Sequence, residues 1–326
     1  MSHFFCAEAS RESGEEIIGS APSHHTYILI ECPTPWAEKA LESKEIPQNL
    51  RELAAKLKKA QQSVRFILIY AKDRVEGNKK RVIVCHKKEG YSDGYSKRKF
   101  VVEDLADVAP KLEKYLAGDR DEIEWVESLT QDILVCTHGS HDKCCARYGY
   151  PFYRQACDLA ARLEMKNVRI WEASHIGGHR FAPTLLSLPE GRYYGALDAD
   201  TFGDILQRTG NIDCLRRVYR GWGLFPLHVQ VLERELMLQQ GWDWFKFKID
   251  YKILSEKSDR SFTRVELHCQ KPNGDVLVYQ GDIVPDESKT LVLRGSCNSD
   301  SAASYVKYGV ENLSLVGDLA RLSAVG

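Results

Sequence analysis

The sequence predicts an α/β fold in which a mixed β-sheet with flanking helices occurs twice in tandem, followed by a C-terminal helix and an antiparallel β extension. Short apolar runs alternate with helical patterns, and the order strand, helix, strand, strand, strand, helix occurs before residue 118 and again before residue 211. Strict alternation of apolar and polar residues after residue 243 indicates the antiparallel part. We therefore expect domains at residues 1–128, 129–210 and 211–326.

The first unit begins after residues 1–25, which we expect to be an irregular lead-in. Its strands are predicted where apolar residues run without interruption, and its first helix where leucine and alanine recur at helical spacing. The predicted elements are a strand at Thr26–Cys32, a helix at Pro47–Gln61, strands at Val64–Tyr70, Arg81–Cys85 and Lys99–Val102, and a helix over residues 103–117. The succession of strand, helix and strand favours a parallel pair.

The second unit repeats this order. Its predicted elements are a strand at Ile133–Val135, a helix at Pro151–Leu163, a strand at Val168–Trp171, a hairpin of Thr184–Leu188 and Arg192–Ala196, and a helix at Asp200–Arg208. Both units fit the thioredoxin-like arrangement, so Cys32 of the first unit takes the place of Cys136 in the second. The second strand of the first unit continues into Ala71-Lys72-Asp73-Arg74, which offers no histidine. The first unit is therefore expected to bind nothing.

The third region, residues 211–326, has a different pattern of apolar residues from the two units. Residues 225–240 predict an amphipathic helix. The stretch from Trp244 to Leu254 predicts an antiparallel strand that buries one face. Further strands are predicted at Phe262–Cys269 and Asp275–Gln280, joined by a turn at Pro272-Asn273-Gly274. Nothing in this region indicates catalysis, and we expect it to pack on the second unit.

The composition is that of an ordinary soluble protein. The chain has 326 residues, 43% of them hydrophobic, and a net charge of −1. It shows no basic excess that favours nucleic acid, no signal peptide at the N-terminus and no apolar run approaching the ~18 residues of a membrane span. We expect a cytoplasmic protein with no nucleic-acid and no membrane partner.

Residues 72–99 carry a local basic excess. One interpretation is a solvated hairpin face, and the other is a docking patch for an acidic redox partner. The basic side chains are Lys79, Lys80, Arg81, Lys87, Lys88, Lys97, Arg98 and Lys99.

Candidate metal ligands are concentrated in two loops. The ten cysteines are scattered along the chain, and in a reducing compartment most are expected to be buried, inert thiols. Cys136 ends one predicted strand and is followed by a polar loop that closes on Cys144-Cys145. His175 and His179 follow the next predicted strand of this unit, separated by Ile176-Gly177-Gly178. Thiolate and imidazole are the donors of zinc and of iron–sulfur clusters, so these loops predict a metal site.

The residues alone leave two choices open. Neighbouring side chains in an extended stretch point to opposite sides, so only one of Cys144 and Cys145 is expected to be a ligand, and spacing does not say which. The second choice is between an iron–sulfur electron carrier, a structural zinc module and a thioredoxin-type thiol oxidoreductase. The last lacks the C-x-x-C spacing that activates a thiol.

Two motifs make the chain resemble the sucrase/ferredoxin-like family. The stretch Cys136-Thr-His-Gly-Ser-His-Asp-Lys-Cys-Cys145-Ala is similar to the family pattern C-x-H-x-x-R-D-x-x-C-G, and His175-Ile-Gly-Gly-His179 matches its HxGGH motif. The resemblance covers roughly residues 10–200. It makes Cys145 the second thiolate. His141 stands where Arg is usual and Ala146 where Gly is usual, and both departures leave the ligands intact.

The resemblance implies a 2Fe-2S cluster, with Cys136 and Cys145 on one iron and His175 and His179 on the other. Imidazole ligation of one iron raises the reduction potential, as in Rieske centres. A redox partner protein, either a reductase or an electron acceptor, is implied as well. His138 is interpreted as a supporting residue. Arg147 and Arg180 are interpreted either as stabilising charge near the cluster or as surface residues.

The resemblance does not make the chain a glycosidase or a nucleotide-binding enzyme. No paired carboxylates of a glycosidase stand out, and Gly177-Gly178 lacks the GxGxxG pattern of a dinucleotide site. No catalytic residue is predicted.

Overall fold

A ten-stranded mixed sheet forms the centre of the molecule. The structure, a computed structural model, describes residues 4–71, 79–119 and 123–319. Within these ranges it has seven α-helices, the large sheet, and two smaller antiparallel sheets of four and two strands. The predicted α/β class is confirmed.

The first half of the sheet has the predicted thioredoxin-like order. Its elements are α1 (Cys6–Glu12), β1 (Thr26–Glu31), α2 (Gln48–Lys59), β2 (Val64–Tyr70), β3 (Lys80–Lys87), β4 (Tyr95–Val102), α3 (Val108–Leu116) and β5 (Val126–Glu127). β1 pairs in parallel with β2 and antiparallel to β3, and β3 pairs antiparallel to β4. The amphipathic face of α2 buries Leu50, Leu53 and Leu57. The predicted continuation over Lys72, Asp73 and Arg74 lies outside the described residues.

The second half repeats the same connections. Its elements are β6 (Gln131–Cys136), α4 (Tyr150–Arg162), β7 (Val168–Ala173), β8 (Leu185–Leu188), β9 (Arg192–Tyr194), α5 (Ala199–Gln207), α6 (Leu215–Val218) and β10 (Tyr219–Trp222). β6 pairs in parallel with β7 and antiparallel to β8, and β8 pairs antiparallel to β9. An antiparallel contact between β2 and β7 joins the halves into one sheet. The domain boundaries at residues 128 and 210 remain predictions; β10, beyond the second of them, extends the sheet next to β9.

The C-terminal region forms its own antiparallel sheet. Its elements are α7 (Leu227–Gln240), β11 (Lys248–Glu256), β12 (Thr263–Gln270), β13 (Val276–Pro285), β14 (Leu291–Leu293), β15 (Ala303–Tyr305) and β16 (Tyr308–Leu319). The predicted strand start at Trp244 is wrong, because Gly241–Lys246 is a 3-10 helix. β11 is an edge strand, so its far end leaves the core: Ile249 is 1% exposed but Ile253 is 42% exposed.

The N-terminal lead-in contains a helix that the sequence did not predict, whereas residues 13–25 form no helix or strand, as expected. α1 spans Cys6–Glu12 and buries Cys6, Ala7 and Ser10. A helix of seven residues is too short to display a helical repeat in the sequence. Its position comes from packing against the turn at His179–Phe181, which no local pattern reveals.

Two members of the basic segment are internal. The Arg81 guanidinium lies 2.8 Å from the carboxylate of Glu31, and the Lys97 ammonium pairs with Asp132. All four side chains are at most 6% exposed. Arg81 and Lys97 therefore add no charge to a docking face. The sequence of β3 and β4 did not reveal that these two side chains are buried.

A buried carboxylate joins the second half of the sheet to the C-terminal region. Glu233 on α7 is 0% exposed and accepts from Arg192 at 2.8 Å, from the Tyr219 hydroxyl at 2.9 Å and from the Trp244 indole at 2.8 Å. These three hydrogen bonds, one of them from a cation, compensate the cost of burying the charge of Glu233.

Glu233→Gln is expected to lower the free energy of unfolding by about 3–5 kcal/mol, because it leaves Arg192 as a buried charge without its carboxylate. Urea unfolding measures the change. Asp213→Asn serves as the control, since this carboxylate is 58% exposed in its ion pair with Arg216 and is worth about 1 kcal/mol or less. Equal losses in the two variants would contradict the role given to Glu233.

Candidate metal centre

The two predicted ligand loops meet at one edge of the large sheet. Cys136 is the last residue of β6 and lies opposite Ala173, the last residue of the parallel strand β7. Because neighbouring parallel strands end at the same edge, the loop after β6 and the loop after β7 come together. The loop after β6 ends in a π-helical turn at Cys145–Gly149, which leads into α4.

Three of the four predicted ligands lie close together. His175 Nδ1 is 4.0 Å from Cys136 Sγ and 3.8 Å from Cys145 Sγ, and the three donor atoms lie within 4.8 Å of one another. Both cysteines are buried, whereas His175 is half-buried. The thiols thus form the inner side of the site and the imidazole its outer side.

His179 lies beside this group without joining it as closely. Its ring centroid is 5.4 Å from that of His175, and its Nδ1 is 2.7 Å from Oδ2 of Asp142. If Nδ1 carries the proton and donates to the carboxylate, Nε2 keeps the lone pair that a metal ligand needs. Histidine ligands commonly donate their second ring nitrogen to a carboxylate in this way.

The backbone of His175 is fixed from both sides. Its N–H donates to Nδ1 of His138 at 3.1 Å, and its carbonyl accepts from Arg65 at 2.6 Å. Nε2 of His138 in turn donates to the carbonyl of Ala37 at 2.8 Å. His138 uses both ring nitrogens on the backbone, so it has none left for a metal. Burial lowers the pKa of His138, which favours the neutral ring that these bonds require.

The glycines between the two histidines are required by their surroundings. Gly178 has φ +75°, and a Cβ there would meet a guanidinium nitrogen of Arg220 at 2.5 Å. Arg220 is 1% exposed and donates to the carbonyls of Gly177 and Ser20 at 2.9 and 2.7 Å. Without side chains, the backbone at Gly177-Gly178 comes close enough to Arg220 for this buried cation to bind the histidine loop. The sequence indicated no role for Arg220, because it lies 41 positions beyond His179, in β10.

The electrostatics favour one thiolate in the thiol pair. A hydrogen bond from Cys145 lowers the pKa of Cys136, with a further contribution from His175, and the same bond raises the pKa of Cys145. Burial raises the pKa of Asp142, but hydrogen bonds from His179 and from the backbone of Cys144 outweigh it and hold this pKa well below its usual range. Asp142 is therefore a carboxylate beside the site.

The two candidate arginines serve structural contacts. Arg180 binds the buried carboxylate of Glu15, with Nε 3.0 Å from Oε1. The guanidinium of Arg147 lies over the ring of Phe5, 4.5 Å from its centroid. His141, in the position where the family pattern has Arg, stacks on His175 with ring centroids 3.9 Å apart.

The match to a known family covers the sheet and the site. The family described as sucrase/ferredoxin-like matches residues 17–221, more than half of the 326 residues. The chain belongs to the sucrase/ferredoxin-like family. No curated protein and no solved structure matched the chain.

This sucrase/ferredoxin-like chain has cysteine and histidine groups that allow metal binding. Among residues 4–71, 79–119 and 123–319, none of the helices combines the length and apolar character needed to cross a membrane. The matched segment includes both ligand loops and ends in β10, which carries Arg220.

Proposed function

We propose that this protein is an electron carrier whose 2Fe-2S cluster is bound by Cys136, Cys145, His175 and His179. The observation that carries the proposal is the pairing of two buried thiols with two partly exposed imidazoles at the ends of adjacent parallel strands. Together with membership of the family, this donor set fits a Rieske-like centre.

When bound, such a cluster supplies one-electron redox chemistry at a raised potential. The chain's own residues bind and orient it. Arg220, through Gly177, and Arg65, through His175, hold the histidine loop. With the proton on Nδ1 of His179, this nitrogen donates a hydrogen bond to Asp142, which leaves Nε2 to face the metal. The half-buried rings of His175 and His141 form the side from which a redox partner protein approaches.

One observation favours zinc as a second candidate. Around a single tetrahedral zinc ion, sulfur and nitrogen ligands lie about 3.5 Å apart. The Sγ–Nδ1 distances of 3.8 and 4.0 Å at His175 are close to that value. A cluster with the imidazole on the second iron requires a wider separation, so the His175 ring would lie farther from the thiols. A zinc ion here would make the site structural.

A thiol oxidoreductase using Cys144 has less support. Cys144 is 0% exposed, so no protein disulfide reaches it. Loss of an exchange activity in Cys144→Ser, with the metal centre retained, would favour this function again.

Anaerobic purification of the full chain decides between cluster and zinc. We expect iron and acid-labile sulfide in equal amounts, a visible absorption band, and an electron-paramagnetic signal on reduction. A colourless protein that loses a zinc ion when Cys136 is replaced would overturn the electron-carrier proposal.

His175→Cys and His179→Cys are each expected to keep a cluster and to lower its reduction potential by roughly 100 mV or more, because a thiolate replaces a neutral imidazole. Protein-film voltammetry measures the shift. His268→Cys, on β12 in the C-terminal sheet, is the control and should leave the potential unchanged. Unchanged potentials in both site variants would remove these imidazoles from the ligand set.

A further inference from the structure

Three thiols from distant parts of the chain meet beside the predicted centre. Cys6 is the first residue of α1, Cys144 precedes the π-helical turn, and Cys297 lies between β14 and β15. Their sulfurs form a triangle: 3.5 Å from Cys6 to Cys144, 3.2 Å from Cys144 to Cys297, and 3.6 Å from Cys297 to Cys6. Cys6 and Cys144 are fully buried and Cys297 is half-buried.

Asp142 completes this group of four. Its Oδ1 is 4.0 Å from Cys6 Sγ, and one donor atom from each of the four residues lies within 4.8 Å of the others. The carboxylate is 2% exposed and is oriented by the backbone N–H groups of Cys144 at 2.9 Å and Cys297 at 3.1 Å. Its orientation is thus set before any ion arrives.

We propose that Cys6, Cys144, Cys297 and Asp142 bind a Zn²⁺ ion, at a second metal site distinct from that of Cys136 and Cys145. In a tetrahedral zinc site, thiolate sulfurs lie about 3.8 Å apart, slightly more than the three observed edges. Three thiolates are a soft donor set that suits zinc, and a carboxylate oxygen is an accepted fourth ligand. Binding converts protonated thiols to thiolates and releases their protons to solvent.

Other uses of three thiols fit less well. A disulfide joins two sulfurs and leaves the third without a partner. An iron–sulfur cluster of several irons spreads its cysteines over different irons and so needs them farther apart than 3.2–3.6 Å. One mononuclear ion satisfies all three sulfurs at once.

The site uses its own sulfurs although three of its members adjoin first-site residues. Cys144 precedes Cys145 in the sequence, Asp142 binds His179, and Cys6 Sγ lies 4.0 Å from His179 Nδ1. Cys145 contributes its sulfur to the group with Cys136 and His175, whereas Cys144 contributes its sulfur to the group with Cys6. Cys6 and Cys297 lie outside residues 17–221, the segment that matches the family. The second ion would therefore attach the chain's N-terminal helix and C-terminal strands to the family core. A bound ion that links residues so far apart in sequence stabilises the folded state.

The test measures zinc and iron in the full chain, purified anaerobically with a reductant, depleted with a chelator and titrated with Zn²⁺ alone. We expect one zinc per chain at this site. Cys6→Ser and Cys297→Ser should each lower the affinity for this zinc ion roughly tenfold or more, since each variant lacks one ligand. Cys214→Ser, at a half-buried thiol in another part of the fold, is the matched control and should keep the zinc.

Further variants separate this site from the first one and from simple misfolding. Cys136→Ser should still take up this zinc ion, whatever the first site holds. Cys297→His supplies a new ligand and should retain zinc that Cys297→Ser loses. Co²⁺ titration reports thiolate ligation by its charge-transfer absorption, and this signal should fall in Cys6→Ser.

Three outcomes would overturn the proposal: no zinc beyond what Cys136→Ser removes, a Cys144–Cys297 disulfide in the wild type purified under reductant, or loss of iron instead of zinc in Cys297→Ser. The last would assign these thiols to the iron centre. The first two leave open whether the first site carries a cluster, because the iron and sulfide lost in Cys136→Ser are measured separately.

Discussion

Cys136→Ser is expected to reduce the iron content of the purified chain roughly tenfold or more. Cys136 is 1% exposed at the end of β6, with its sulfur 4.0 Å from His175 Nδ1, so a ligand at this point is held by the sheet itself. A serine hydroxyl is a hard donor that stays protonated near neutral pH, and it does not replace a thiolate on iron. Iron and sulfide assays on protein purified anaerobically measure the loss.

The tandem repeat provides a matched control for this change. Cys32 follows β1 in the first half as Cys136 ends β6 in the second, and it is equally buried. Its sulfur lies against the carbonyl of Pro33, at 3.7 Å. Cys32→Ser should leave iron and sulfide unchanged. Full iron and an unaltered spectrum in Cys136→Ser would exclude this thiol from the centre.

Much of the fold was predictable because the central strands carry their own signal. The apolar runs at β1 and β2 predict the bounds of these strands to within one residue, and α2 shows its apolar stripe at Leu50, Leu53 and Leu57. The run at Ile133–Val135 marks the centre of β6, which begins two residues earlier and ends one residue later. Elements whose burial depends on residues distant in sequence were not predicted. α1 is too short for a period, and β10 is a strand of four residues with an arginine and a glycine in it.

The candidate site divides in the same way. Cys136, Cys145, His175 and His179 fall in two loops that each follow a strand, so topology alone brings them to one edge of the sheet. Cys6 and Cys297 are 291 positions apart and have no local motif, so only the packing of the chain ends places them together. Asp142 stood in the first motif without a role, since a sequence does not show that one carboxylate lies between two groups of ligands.

Asp142→Asn is expected to affect both proposed centres. Oδ2 of Asp142 accepts from His179 at 2.7 Å, from Ser296 at 3.2 Å and from the backbone of Cys297 at 3.1 Å. The amide of asparagine has a single acceptor oxygen, so an NH2 group must face either these donors or the N–H of Cys144. We expect zinc affinity at the three-thiol site to fall roughly 10–100-fold, and the reduction potential of the first centre to change as His179 loses its carboxylate.

Zinc titration and voltammetry on the same preparation measure the two effects. Asp198→Asn is the control, because this carboxylate belongs to neither proposed site. It accepts a hydrogen bond from the backbone N–H of Thr201 at the start of α5. A change in zinc affinity with an unchanged potential would show that the contact with His179 does not influence the first centre. A changed potential with intact zinc binding would remove Asp142 from the second. Only a response at both sites supports a single carboxylate that orients a histidine on one side and ligates an ion on the other.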